Sequence, residues 1–123
     1  MPPIPPPPRR LTDMLPLSPQ QFHILLALTD RDRHGYGIIL DVAERTGGAL
    51  RLGTGTLYTA IARLVELGLI ADSGRTDDRR RYYRLTPVGR VVLRNETVRL
   101  ETLVHHAHAR GVRPTVRPVK VRP

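Results

Sequence analysis

Proline is confined almost entirely to the ends of this chain, and that placement decides which residues are free to fold. Ten of the 12 prolines lie at positions 2–16 or 114–123, whereas all ten glycines lie between residues 17 and 112. Proline in a helix interior removes a backbone donor and clashes with the preceding turn. The run Met1-Pro2-Pro3-Ile4-Pro5-Pro6-Pro7-Pro8-Arg9-Arg10 is therefore excluded from helices and central strands, and reads as polyproline II. The last eleven residues, Arg113 to Pro123, are similarly extended and basic. Neither end carries enough apolar surface to offset its ordering entropy. Residues 1–16 are expected to be a disordered Pro-rich tail and residues 112–123 a disordered basic tail. One ordinary domain remains between them.

Charge divides along the same lines. The 123 residues carry 20 Lys+Arg against 11 Asp+Glu, a formal net charge of +9. Residues 1–10 hold +2 and residues 113–123 hold +4, so the span between them keeps +3, with 14 Arg against all 11 acids. Residues 75–84 alone, five Arg and two Asp, account for that +3. A basic excess of this kind points to a polyanionic partner, nucleic acid before anionic membrane. Nineteen of the 20 basic residues are Arg, which fits either GC-rich codon usage or selection for phosphate-binding forks. The absence of cysteine excludes a disulfide framework, a thiolate metal site and a cysteine nucleophile. No phosphate loop, nucleophile elbow or two-histidine metalloprotease helix is present, so no enzyme and no cofactor is expected. Arg9-Arg10 is not followed by an apolar region or a small-residue cleavage site, and no apolar run nears the ~18 residues of a membrane span. A cytoplasmic protein without membrane partners is expected.

The central span reads as four helices and a hairpin. Ser18 can cap a helix with Pro19 at its first position and Gln21 reaching back, and Phe22, Leu25, Leu26 and Leu28 follow at helical spacing. A second helix runs from about Tyr36 to Arg45 and stops at Gly47-Gly48. A third is capped by Thr54 and continues through Leu57, Ile61 and Leu64 to Gly68. Leu69 to Ser73 and Arg80 to Leu85 read as strands, with Gly74 to Arg79 as the loop between them. In the second strand Arg81, Tyr83 and Leu85 share one face, and Arg80, Tyr82 and Arg84 the other. Thr86-Pro87 opens a last helix that can run to Arg110, roughly 36 Å at 1.5 Å per residue. That is too long to pack entirely on so small a domain.

The order is that of a winged helix-turn-helix, in which the third helix enters the major groove. Leu57, Ile61 and Leu64 cluster on one side of that helix. Gly55, Thr56, Thr59, Ala62 and Arg63 fall on the other, a small, hydroxyl-bearing and cationic face suited to phosphates and base edges. Alone, the pattern equally describes an ordinary amphipathic surface helix.

Five short matches in register separate these readings. His34-Gly35-Tyr36-Gly37-Ile38, Gly55-Thr56-Leu57-Tyr58, Arg63-Leu64, Gly68-Leu69-Ile70 and Arg81-Tyr82-Tyr83-Arg84-Leu85-Thr86-Pro87-Val88-Gly89 resemble the PadR family of bacterial transcriptional regulators. The resemblance spans about Leu17 to Leu103. Gly37 departs from it, standing where the family commonly has Glu. The resemblance implies a fold that is mainly α with a small β-hairpin, with a winged helix-turn-helix DNA-binding domain over residues 17–86. It also implies one long C-terminal dimerisation helix over residues 87–111. The function implied is a homodimeric repressor that binds a pseudo-palindromic double-stranded operator. The DNA-binding set is Tyr36, Thr54, Gly55, Thr56, Tyr58, Thr59, Arg63, Arg79, Arg80, Arg81 and Tyr82. The family's phenolic-acid and drug effectors imply a small-molecule partner as well. With no Trp, one Phe and no Tyr in the last helix, its identity is not legible.

In the wing, Arg75, Arg79, Arg80, Arg81 and Arg84 surround Asp77 and Asp78, which would repel phosphate at the tip. The same residues as a solvated charge run are the alternative. Tyr83 alternates onto the core face and reads as packing. On the last helix, Leu93, Thr97, Leu100, Leu103, Val104 and Ala107 form a stripe near a seven-residue repeat. Its cover is a partner helix or, alternatively, helix one of the same chain. Val88, Val91 and Val92 are expected to pack on their own domain. His105 and His108 are spaced to share a metal ion, but no obvious first shell completes the site, and exposed residues in a last turn serve as the other reading. The rival to specific regulation is a sequence-nonspecific nucleic-acid binder that uses its tails; a winged helix for protein contacts is a third reading.

Overall fold

Capping chemistry sets most of the element boundaries. The structure, a computed structural model, describes residues 14–114. Helix α1 (Pro19–Ala27) opens with a complete capping box: the Gln21 amide donates to Ser18 Oγ at 3.1 Å, and the Ser18 amide donates to Gln21 Oε1 at 3.0 Å. A short strand β1 (Arg33–His34) leads directly into α2 (Gly35–Arg45), whose cap is His34: Nδ1 accepts the Gly37 amide at 3.0 Å. Helix α3 (Thr54–Glu66) differs. Its cap position is Gly53, in extended conformation, and no side chain closes the turn. Thr54, expected as the cap, is instead the first helical residue, because the Gly53 carbonyl already accepts the Leu57 amide at 2.9 Å.

Strands β2 (Ile70–Asp77) and β3 (Arg80–Leu85) form the wing, and α4 (Pro87–Ala109) completes the chain. The sheet is antiparallel in the order β1-β3-β2, so β3 is central. Arg33 and His34 pair with Tyr83 and Tyr82. Where sequence gave a six-residue loop from Gly74 to Arg79, the strands continue to an Asp77–Arg80 pair closed by Asp78 and Arg79 alone. Both turn residues have positive φ, 48° and 63°, the left-handed geometry that a two-residue hairpin demands. The register shifts between the pairs Asp72–Tyr83 and Thr76–Arg81, so β2 bulges opposite Tyr82. Gly74, at φ +81°, supplies the bend, and its amide donates to Asp72 Oδ1 at 2.8 Å.

The core lies where α1, α2, α3, the wing base and α4 meet. Ile24, Leu25, Ile38, Val42, Leu57, Leu64, Leu69, Ile70 and Val92 are all essentially inaccessible. Met14 and Leu15, assigned by composition to the Pro-rich tail, pack against this core. Residues 1–13 of that tail and residues 115–123 of the basic tail lie outside the described residues.

Helix α4 is anchored by its first turn. Thr86 Oγ1 accepts the Gly89 amide at 2.9 Å and lies 2.6 Å from the Gly68 carbonyl oxygen. A Cβ at Gly89 would stand 2.0 Å from the Leu69 carbonyl oxygen, so only glycine permits this crossing. The contact fixes the rotation of the helix, turning Gly89, Val92, Leu93 and Glu96 inward. Two expectations fail for that reason. Leu93, placed at the dimer seam, is buried in its own domain, while Val88 and Val91, placed on the domain, are exposed.

Candidate nucleic-acid interface

Helix α3 is amphipathic, with Leu57, Ile61 and Leu64 in the core and Thr54, Gly55, Thr56, Thr59, Ala62 and Arg63 exposed. Its first turn holds no acidic residue and no side-chain cap. Helix geometry leaves those first amides without partners inside the helix, and they concentrate partial positive charge suited to a phosphate. Arg63 is held 3.2 Å from Glu66, both exposed. Ser18, Gln20 and Gln21 of α1 border the same groove as Gly55, Thr56, Thr59 and Arg63. Sequence reasoning assigned Ser18 and Gln21 to capping, and so missed that α1 contributes a polar wall.

From α3 a run of contacts leads to the wing. Tyr58 is half-exposed and lays its hydroxyl against the start of α2, where a Cβ on Gly35 would come within 2.6 Å of it. Next to Gly35, Tyr36 is exposed, and the Arg80 guanidinium lies 5.9 Å from its ring centroid. Arg80 Nη1 also lies 3.2 Å from His34 Nε2. The His34 ring meets Tyr82 edge-on at 5.2 Å, and the Arg75 guanidinium covers Tyr82 at 4.2 Å. Tyr36, Arg80, His34, Tyr82 and Arg75 thus form one contiguous row in which two guanidinium groups lie against aromatic rings.

The remaining wing residues have other surroundings. Arg81 lies on the other face of β3, where it borders Tyr58 and Ala62 of α3, and pairs with Asp72 at 3.0 Å. Arg79 sits in the turn beside Asp77 and Asp78. Tyr83 is buried in the core, and burial pushes its phenol pKa up. Burial first, and then the neighbouring Arg80 charge, holds His34 below the ordinary histidine value against the opposing pull of Asp77. His34 is therefore neutral at pH 7, as a cap that accepts a hydrogen bond must be. Sequence reasoning missed both His34 and the two-residue strand that carries it, since histidine is not among the usual cap residues.

On the distal part of α4, Leu100, Leu103 and Val104 are exposed, and Thr97 and Ala107 are half-buried. Arg99 and Leu100 border a cleft with Phe22 and His23 of α1, and from Glu101 to His106 the helix is exposed. Among the described residues no group of three His, Asp or Glu side chains could hold a metal ion, so His105 and His108 are not joined by a third ligand. No helix of the described residues is long and apolar enough to cross a membrane.

Comparison with known proteins agrees with this architecture. The profile of the family described as "Transcriptional regulator PadR-like family" matches residues 24–95. Transcriptional regulator Rv3488 of Mycobacterium tuberculosis is 34% identical over 85 residues, covering 68% of this chain and 77% of that one. A transcriptional regulator from Clostridium thermocellum is similar in structure, with a TM-score of 0.66, 30% identity, and coverage of 76% of this chain and 90% of its own. A PadR family transcription regulator from Clostridium difficile R20291 gives a TM-score of 0.65 at 26% identity, covering 75% of this chain and 97% of its own.

Proposed function

The chain belongs to the PadR-like family of transcriptional regulators, and from that premise we propose a homodimeric repressor that grips a pseudo-palindromic operator with α3 and the wing. One observation carries this reading. The exposed face of α3 runs through Tyr58, Gly35 and Tyr36 to Arg80 of the Arg-rich wing. In the proposed complex, Thr54, Gly55, Thr56, Thr59 and Arg63 approach base edges and the groove wall. Tyr36, Tyr58, Arg79 and Arg80 serve the phosphates beside Tyr82, and Arg81 joins them on parting from Asp72. The distal apolar stripe of α4, Leu100, Leu103, Val104 and Ala107, supports a two-fold partner. A two-fold protein reads two half-sites of a palindrome. The small-molecule effector implied by the family resemblance would lie in the cleft between α1 and α4, about 290 Å³, lined by Leu17, Phe22, His23, Glu96, Arg99 and Leu100.

The test is to sequence the DNA that the full-length protein occupies in its native cell, then to measure affinity for the recovered sequence and for a random duplex. Specific regulation requires at least about a 10³-fold preference at physiological salt. Equal affinities would sink it in favour of a nonspecific binder, the reading favoured by the +6 carried on residues 1–10 and 113–123. A reporter driven by the occupied promoter distinguishes repression from activation by the direction of change.

A further inference from the structure

Arg75 lies outside the expected contact set, yet the fold goes to some length to place it. Without the β2 bulge, the Asp72–Tyr83 register would set Arg75 opposite Arg80, two like charges side by side. The bulge shifts the register so that Arg75 falls opposite Tyr82 and stacks on its ring at 4.2 Å. A guanidinium stacked on an aromatic face keeps its in-plane N–H edge free for a bidentate acceptor and has already lost much of its rotamer freedom.

Arg80 is held in a complementary way. Neutral His34 has one lone pair and faces two donors, the Gly37 amide at 3.0 Å and Arg80 Nη1 at 3.2 Å. The helix cap takes the lone pair at Nδ1, so Nε2 carries the proton and offers Arg80 no acceptor. The guanidinium instead lies against the Tyr36 ring, 5.9 Å from its centroid, and is left unsatisfied by His34. Among the described residues neither Arg75 nor Arg80 has a carboxylate within 4.0 Å, whereas Arg81 is paired with Asp72. Two pre-set, unpaired guanidinium groups therefore flank Tyr82 on one face of the wing.

We propose that Arg75 and Arg80 form a phosphodiester-binding pair at the wing, with Tyr82 as the positioning residue that holds the Arg75 guanidinium ready. The proposal rests on the DNA-binding reading above and adds Arg75 to its contacts. The acceptor is the phosphate backbone rather than a base edge, so this pair contributes affinity and register but no sequence preference.

Full-length protein titrated with a fluorescent random-sequence duplex at several salt concentrations tests it. Arg75→Ala and Arg80→Ala should each lower the slope of log affinity against log salt by about 0.9, one phosphate contact apiece. Tyr82→Leu, which alters no charge, should weaken binding about three- to five-fold, and Tyr82→Phe should restore it. In an Arg75→Ala/Arg80→Ala background the Tyr82→Leu change should have no further effect. Wild-type slopes in both arginine variants would overturn the pair. An undiminished Tyr82→Leu effect in the double-arginine background would overturn the positioning role. Both arginines are exposed, so their variants carry the test even where Tyr82→Leu fails to fold. A wild-type protein that binds no duplex would end the DNA-binding reading and this inference with it; a binding wild type with unchanged variants ends the inference alone.

Discussion

From Pro87 to Glu96, α4 turns Gly89, Val92, Leu93 and Glu96 into its own domain, and all four are buried. Beyond Thr97 the same side of the helix continues as Leu100, Leu103, Val104 and Ala107, with Leu103 50% and Val104 53% exposed. The two halves share one helix and one apolar periodicity; they differ in what stands opposite. The proximal half meets Leu69 and α1, whereas residues 101–106 of the distal half are exposed. A stripe of apolar side chains thus specifies that a surface will be covered, while the covering element is decided by where the helix is anchored. Under the proposed dimer, the proximal half carries folding stability and the distal half carries association. That division can be broken at either end.

The largest effect is expected at Gly89. Replacing it with alanine puts a methyl group 2.0 Å from the Leu69 carbonyl oxygen, which is backbone and cannot turn aside. Either α4 lifts off or β2 shifts, and overpacking on this scale costs about 3 kcal/mol. Urea unfolding of Gly89→Ala should show a midpoint far below that of the native protein. An unchanged midpoint would mean that this approach does not fix the helix crossing.

Leu103→Glu attacks the other half. The side chain touches little of its own domain, so folding stability of the monomer should change by less than about 0.5 kcal/mol. In a two-fold dimer the change is made twice and puts charge into an apolar seam, so the dimer dissociation constant should rise at least about 100-fold. Sedimentation velocity across a concentration series reads this directly. A dimer of native affinity would remove the distal half of α4 from the interface. Gly89→Ala and Leu103→Glu should therefore separate folding from association along a single helix.

The same contrast explains which features were legible in the sequence. The starts of α1 and α4 could be read from Ser18-Pro19-Gln20-Gln21 and Thr86-Pro87, because capping is settled within four residues. The amphipathic face of α3 was legible for the same reason, since three turns of periodic residues suffice. What failed depends on distant partners. A two-residue strand has no periodicity, and β1 exists because Tyr82 and Tyr83 pair with it. His34 caps α2 only because that pairing delivers it to the right place. The rotation of α4 depends on Gly89 meeting a carbonyl 20 residues earlier, so Val88 and Val91 were placed on the wrong face, and Leu93, on the right stripe, was assigned to a partner although its own domain covers it. In the candidate interface the residue types on α3 and the wing could be named, but not their pairing. That Asp72 engages Arg81 while Arg75 stacks on Tyr82 follows from a bulge no local pattern announced.

Glu96 stands at the border between the halves and offers the smallest and most diagnostic perturbation. It is the one buried charged side chain among the described residues, accepting the Leu17 amide at 2.5 Å and a short bond from Arg99. The Arg99 hydrogen bond, helped by the Leu17 amide, holds its pKa below the usual carboxylate value despite the opposing effect of burial. Because the folded value lies below the unfolded one, near 4.3, the unfolded chain binds more protons in between. The stabilisation is therefore complete above that window and drains away as pH falls through the folded value. Glu96→Gln keeps the shape and one acceptor but loses the charge, and should cost about 1 kcal/mol at neutral pH. It should also flatten the acid limb of a plot of unfolding free energy against pH, while leaving dimer affinity near native. A variant with native stability at pH 7 and an unchanged acid limb would show that Leu17 is held to α4 by packing alone. If dimer affinity fell instead, the border between folding and association would lie nearer the start of the helix than Glu96.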